Sequence, residues 1–216
     1  MGTENSSGSG SRPYHHGQLR EALVVAGLSL ARESGPEAVV LRAVSRAAGV
    51  SHNAAYRHFA DHDDLMRAVC ERCMRELALL MEKRVGEVPS TGSAVDDAWA
   101  RLNALGASYV EFAVTEMGWF RTAFAVPASM HAFEPGEGTG DSGLGPYELL
   151  GQRLDELVAV GAMPSQRRPG AEYAAWSSVH GLSTLLTSGP LRELPEEERQ
   201  RALHVVLGGT TRGLMR

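Results

Sequence analysis

The chain reads as an all-α protein. Apolar residues recur at helical spacing in one segment after another, and Gly and Pro punctuate the chain between those segments. No stretch alternates apolar and polar residues as a half-buried strand does, and there is no internal repeat. Residues 18–34 form the first expected helix, with Leu19, Leu23, Ala26 and Leu30 on one face and Gly35-Pro36 to end it. A short helix follows in VVLRAVSRAAG, whose apolar face is Leu41, Val44, Ala47 and Ala48 and whose turn is Gly49. Ser51 is placed to cap a second short helix, SHNAAYRHF. Asp61 is placed to cap a long one over roughly 62–86, with Leu65, Val69, Leu77 and Leu80 in its stripe. Residues 89–93 break the pattern. Residues 94–116 resume it with Trp99, Leu102, Leu105, Tyr109 and Phe112, and 118–124 form a short aromatic segment. Residues 134–146, rich in Gly, Pro and acids, read as a mobile loop. Helices are then expected over 147–160, 172–187 and 196–212, the last opening on Glu196, Glu197 and Glu198, where the helix dipole favours acids.

Composition excludes several classes. At 216 residues with 43% hydrophobic and 22% charged side chains, the chain can bury a core and is not disordered throughout. No apolar run approaches the ~20 residues of a membrane span, and residues 1–13 read as a flexible tail rather than a secretory signal. With 2 Cys, stability has to come from packing, and a cytoplasmic location fits. Net charge is −5, which argues against a nucleoid-type protein that coats DNA. The charge is uneven, however. Over 12–60 the bases Arg12, Arg20, Arg32, Arg42, Arg46 and Arg57 outnumber the acids Glu21, Glu33 and Glu37, whereas 86–216 is net acidic. Lys83 is the only lysine. A basic N-terminal part on an acidic body points to an anion met at one end.

The stretch 41–69 carries the function. A short helix, a glycine turn and a capped second helix make a helix-turn-helix. In such a unit the first turn of the second helix has to reach base edges, so it needs small or polar groups. Ser51, His52, Asn53 and Ala54 supply them: Asn can pair bidentately with adenine, and Ala can pack on a thymine methyl. Tyr56, Arg57 and His58 follow one turn on, where side chains hold the phosphate backbone. Phe59 is expected to turn inward.

AGVSHNAAYRHFADHDDLMRAV, residues 48–69, resembles the N-terminal signature of TetR-family transcriptional regulators: A-G-V-S, then Y-x-H-F, then L-x-x-A-V at fixed spacing. The resemblance extends upstream to Arg12. It implies that Arg42, His52, Asn53 and Ala54 read bases or groove, and that Tyr56, His58 and His62 hold phosphates. Two positions depart from the family pattern. Val40 stands where Ser or Thr usually opens the first helix of the motif, and His62 stands where Lys is usual. Further on, YVEFAVTEMGWFRTAFA resembles part of the family's ligand domain, and WSSVHGL, with Trp176, His180 and Gly181, resembles the W-H-G pattern of one C-terminal subtype. The implied architecture is a helix-turn-helix DNA-binding domain over 14–62 and a helical ligand-binding and dimerisation domain over 63–216. The implied partners are palindromic double-stranded DNA, a second copy of the chain through its last two helices, and a small apolar effector. No membrane partner is implied.

Trp99, Tyr109, Phe112, Trp119, Phe120, Phe124, Trp176 and His180 are the candidate ligand-binding residues, with Tyr173 a further possible anchor. Aromatics at helical spacing also serve as plain core, and a His one turn from a Trp also serves as a packed structural group, so both readings stand for each. Cys70 and Cys73 share a helix face and read as inert thiols. No catalytic pair, cofactor motif or metal-ligand spacing emerges: His131 and His204 have no partner at such spacing, and the glycines of 134–146 precede no Gly-Lys-Ser/Thr. An all-helical enzyme or carrier is the competing reading. It requires a catalytic pair in the second half, and none is visible.

Overall fold

A computed structural model describes residues 12–126 and 138–215. Of the expected tail over 1–13, residues 1–11 lie outside the described residues, as do His131 and the first part of the expected loop, 134–137; Arg12 and Pro13, expected in the tail, instead open the first helix. Among the described residues nine α-helices follow in order: α1 Arg12–Ser34, α2 Leu41–Ala47, α3 His52–Ala55, α4 His62–Gly86, α5 Ala94–Thr115, α6 Met117–Ala123, α7 Pro146–Ala159, α8 Ala171–Thr187 and α9 Glu196–Met215. Among the described residues there is no strand. α1 begins earlier than its apolar periodicity, at Arg12. It ends where Gly35 takes φ +81°, a backbone conformation open to glycine without strain. Gly49 makes the turn between α2 and α3 in the same way, at φ +69°.

The caps fall where the side-chain chemistry places them. The Ser51 side chain accepts from Ala54 N at 3.2 Å, and Asp61 Oδ1 accepts from Asp64 N at 2.8 Å. At Val40 the first helix of the motif starts with no side-chain cap. The buried face of α2 is Leu41, Val44 and Ser45; Ala47, expected on that face, is exposed because it falls on the far side of the turn.

Two apolar clusters form, and α4 serves both. Leu65, Met66, Val69, Cys73 and Met74 pack with Leu23, Val39, Val44, Ala55 and Phe59. From Leu77 onward, Leu77, Ala78 and Met81 pack instead with α5, α7 and α8. The clusters divide between Met74 and Leu77 of α4. Phe59 is fully buried, with the Arg20 guanidinium 5.1 Å over its ring, so the end of the second motif helix is held from both sides.

A second joint runs through α6. Gly118 lies so close to the end of α1 that a Cβ there would overlap the carbonyl oxygens of Ala31 and Arg32. Trp119 Nε1 donates to Leu28 O at 2.9 Å, and Arg32 sits 4.8 Å over the Trp119 ring while it holds Glu116 through two nitrogens at 2.7 and 2.5 Å. Arg121 reaches Glu37 at 2.5 Å, and Cys70 Sγ donates to Thr122 O at 2.9 Å.

Residues 138–145 correct the expectation of a mobile loop. Glu82 of α4 accepts from Asp141 N, Ser142 N and Ser142 Oγ at 2.8, 3.0 and 2.5 Å, and Arg75 donates to Thr139 O at 2.7 Å. Burial works to raise the Glu82 pKa, but the hydrogen bonds from Ser142 and Asp141 outweigh it and hold the carboxyl below its ordinary value. Composition marked this segment as irregular, and a side chain far away in sequence fastens it.

Gly118→Ala should destabilise the protein by about 3 kcal/mol, because the added carbon meets backbone that no rotamer change can clear. Urea denaturation of the variant and the wild type checks this through the shift in midpoint at constant slope.

Candidate nucleic-acid interface and ligand cavity

The first motif helix is anchored and the second is presented. In α3 only Ala55 is buried; Ser51, His52, Asn53, Tyr56 and Arg57 are exposed, and Ala54 and His58 are half-buried. The backbone continues past α3 in tighter turns, Arg57 N to Ala54 O at 3.3 Å and His58 N to Ala55 O at 2.9 Å. His52 and Tyr56 pack edge to face with ring centroids 4.7 Å apart. Tyr56, 51% exposed, is therefore held upright on the surface by its neighbour one turn back. Arg42 is exposed on α2. His62 opens α4, with its Nδ1 3.3 Å from Asp63 Oδ1, so an acid already faces it. The result is an exposed surface of small, polar and basic groups. It carries the hydrogen-bonding groups that major-groove reading needs.

The body encloses a cavity of about 280 Å³ bounded by α4, α5, α7, α8, α9 and the fastened 138–145 segment. Of the eight residues proposed from sequence, Tyr109, Phe124 and Trp176 line it. His180 stands behind them: Tyr109 Oη and His180 Nδ1 are 2.7 Å apart, and Trp176 Nε1 donates to Tyr109 Oη at 3.2 Å. Phe120 belongs to the same ring cluster, 5.8 Å from Tyr109 and 5.7 Å from His180. Trp99 and Phe112 are placed in the core, and Phe112 stacks on Trp119 at 6.4 Å in the joint with α1. Tyr173 is 69% exposed and is not among the residues that line the cavity. Met74, Met81, Asn103 and Tyr147 line the cavity and were not anticipated. Met74 and Met81 continue the stripe of Leu77 at helical spacing, so the signal for them was present in the sequence.

Electrostatics sort these groups. Burial pushes the Tyr109 hydroxyl pKa up, partly offset by the hydrogen bond from Trp176, and burial pushes His180 down, so both are neutral at pH 7. Burial also raises both thiols, Cys70 to about 11 and Cys73 further, which leaves them protonated and unreactive. Among the described residues there is no cluster of three or more His, Cys, Asp or Glu that can hold a metal, and no helix long and apolar enough to cross a membrane.

An exposed reading helix, rooted in one core and joined by a shared helix to a cavity-bearing body, defines a helix-turn-helix regulator. Residues 23–69 match the family model described as bacterial regulatory proteins, tetR family, and residues 102–208 match the one described as tetracyclin repressor-like, C-terminal domain. The chain belongs to the TetR family of transcriptional regulators. A protein of unknown function from Rhodococcus sp. RHA1 is 27% identical, with 95% of this chain and 100% of that one covered and a TM-score of 0.71. RolR in complex with resorcinol shares the fold at 13% identity, covering 94% of this chain and 96% of that one, with a TM-score of 0.62. NalD, the secondary repressor of the MexAB-OprM multidrug efflux pump in Pseudomonas aeruginosa, shares it at 16% identity, covering 93% and 98%, with a TM-score of 0.54. No curated protein matches the chain.

Because the folded-state pKa of His180 is depressed, its contribution to stability is full above the unfolded value near 6.5 and is lost as pH falls through that range. Wild-type protein should therefore lose more melting temperature between pH 7.5 and pH 5.5 than His180→Gln does. Separately, Cys70 and Cys73 should resist a thiol-reactive chromophore at pH 7.5 in the folded protein and react at once in denaturant.

Proposed function

We propose that the protein is a repressor that binds a palindromic operator as a homodimer and leaves it when a small, largely apolar effector fills the cavity. The observation that carries this reading is the continuity of α4, which is rooted beside α3 at one end and lines the cavity through Met74, Leu77 and Met81 at the other. A ligand that favours one tilt of α4 or α6 changes the distance between the two reading helices of a dimer, which a fixed palindrome tolerates poorly. The resorcinol bound by RolR, which has the same fold, supports a small organic molecule as the effector. A cytoplasmic location accords with a DNA partner.

The dimer interface is assigned to α8 and α9. Leu182 and Leu186 are buried in the chain's own core; exposed apolar groups on these helices include Leu185 at 42%, Val205 at 61% and Tyr173 at 69%. Exposed Ala174, Ser177, Gly181 and Gly209 leave room for close helix approach. In the DNA contact, Asn53 and His52 read bases, with Arg42, Ser51 and Ala54 beside them, and Tyr56, Arg57 and His58 hold phosphates. His62 makes the weakest contribution, since Asp63 competes for its ring.

Operator binding tests this. Asn53→Ala should change base preference at one position per half-site at a cost of roughly 1–3 kcal/mol, whereas Tyr56→Phe should weaken binding uniformly. Competition binding over a panel of single-base operator variants separates the two patterns. Light scattering at micromolar concentration should give twice the chain mass, and Leu185→Arg should reduce it to the chain mass.

A further inference from the structure

The cavity wall has a chemistry of its own. Among the described residues that line it there is no Lys, Arg or His, and the one carboxylate, Glu148, is exposed at its edge. An anion that entered would lose its water and find no cation among these residues in return, which is the costliest form of burial. The aromatic residues Phe124, Trp176 and Tyr147 line the cavity instead. At about 280 Å³ its volume lies at the lower end of ligand sites, so the occupant is small.

Beside the half-buried Asn103, Thr139, Thr210 and Thr211, the buried polar side chain among the described lining residues is Tyr109, whose Oη carries one O–H and two lone pairs. Trp176 Nε1 can only donate, and at 3.2 Å it takes one lone pair. With the neutral imidazole's proton on Nε2, the 2.7 Å contact with His180 Nδ1 takes the O–H. One lone pair remains, on a residue that is 2% exposed and borders the cavity. A buried acceptor of this kind is satisfied by a donor on whatever fills the space.

We propose that the cavity selects an uncharged, flat molecule of one or two rings bearing a hydroxyl or N–H, which donates to Tyr109 Oη. This rests on the ligand-responsive reading above and adds the chemical class of the ligand. The Trp176–Tyr109–His180 chain acts as a positioning device: it fixes which way the phenol hydrogen points and so fixes the complementary group on the ligand as a donor.

Four probes of one shape test it by calorimetric titration into the full chain: 2-naphthol, 2-methoxynaphthalene, 2-naphthoate and 2-naphthylmethylammonium. 2-Naphthol should bind about 3- to 10-fold tighter than the methyl ether and at least about 100-fold tighter than the carboxylate. Tyr109→Phe should erase the gap between naphthol and its ether while the ether's affinity stays within about twofold, a pattern that general loosening of the core does not produce. The proposal is overturned if either charged probe binds as tightly as naphthol, if no probe binds, or if the gap survives in Tyr109→Phe. The wild-type comparison of four probes needs no variant, so it decides the matter even where Tyr109→Phe does not fold. Operator affinity is measured separately with and without 2-naphthol. Binding of the probe with no effect on DNA affinity counts against the regulatory reading and leaves the ligand chemistry standing.

Discussion

Everything in this molecule depends on one helix being shared by two cores. α4 gives Leu65, Val69 and Cys73 to the cluster beneath the helix-turn-helix, and Leu77, Ala78 and Met81 to the cluster around the cavity. Neither cluster closes without it. The helix is built to bear that role. Asp61 caps it, Asp63 and Asp64 lie in its first turn and Lys83 and Arg84 in its last, and no Gly or Pro interrupts it before Gly86. At about 1.5 Å per residue it spans roughly 37 Å as a single rod.

Much of this was legible in the sequence, because much of it is local. Ser51 and Asp61 announce their helices by side-chain chemistry that acts over three residues, and the stripes of α1, α4 and α5 follow from periodicity alone. The fixed spacing from Ala48 to Val69 marks the helix-turn-helix in the sequence itself. What was not legible depends on residues far apart in the chain. Arg32 finds Glu116 and Trp119 finds Leu28 across more than eighty positions, and Glu82 fastens Ser142 across sixty. Nothing in the local pattern of any of these partners indicates the other.

The aromatic residues make the same point more sharply. Phe112, Trp119, Phe120 and Phe124 have the same composition and spacing signal, yet they end in different places. Phe112 and Trp119 stack where α6 meets α1, Phe120 fills the ring cluster, and Phe124 reaches the cavity. Periodicity reports which face of a helix is buried but not whether that face meets another helix or an empty space. The i,i+4 pairing of Trp176 with His180 was readable; that both converge on one phenol was not, because Tyr109 lies on another helix.

Gly118 gives the contact between α6 and α1 an unusual mechanical character. Most helix pairs are separated by side chains, which act as cushions: rotamers shift, methyl groups slide, and a small movement of one helix is dissipated before the next responds. Here backbone meets backbone, with no Cβ on the α6 side to give way. Trp119 and Arg32 clamp the same spot from its flanks. A displacement of α6 by a fraction of an ångström therefore has nowhere to be absorbed and arrives at the end of α1 almost undiminished. In engineering terms the joint is a hard stop rather than a spring.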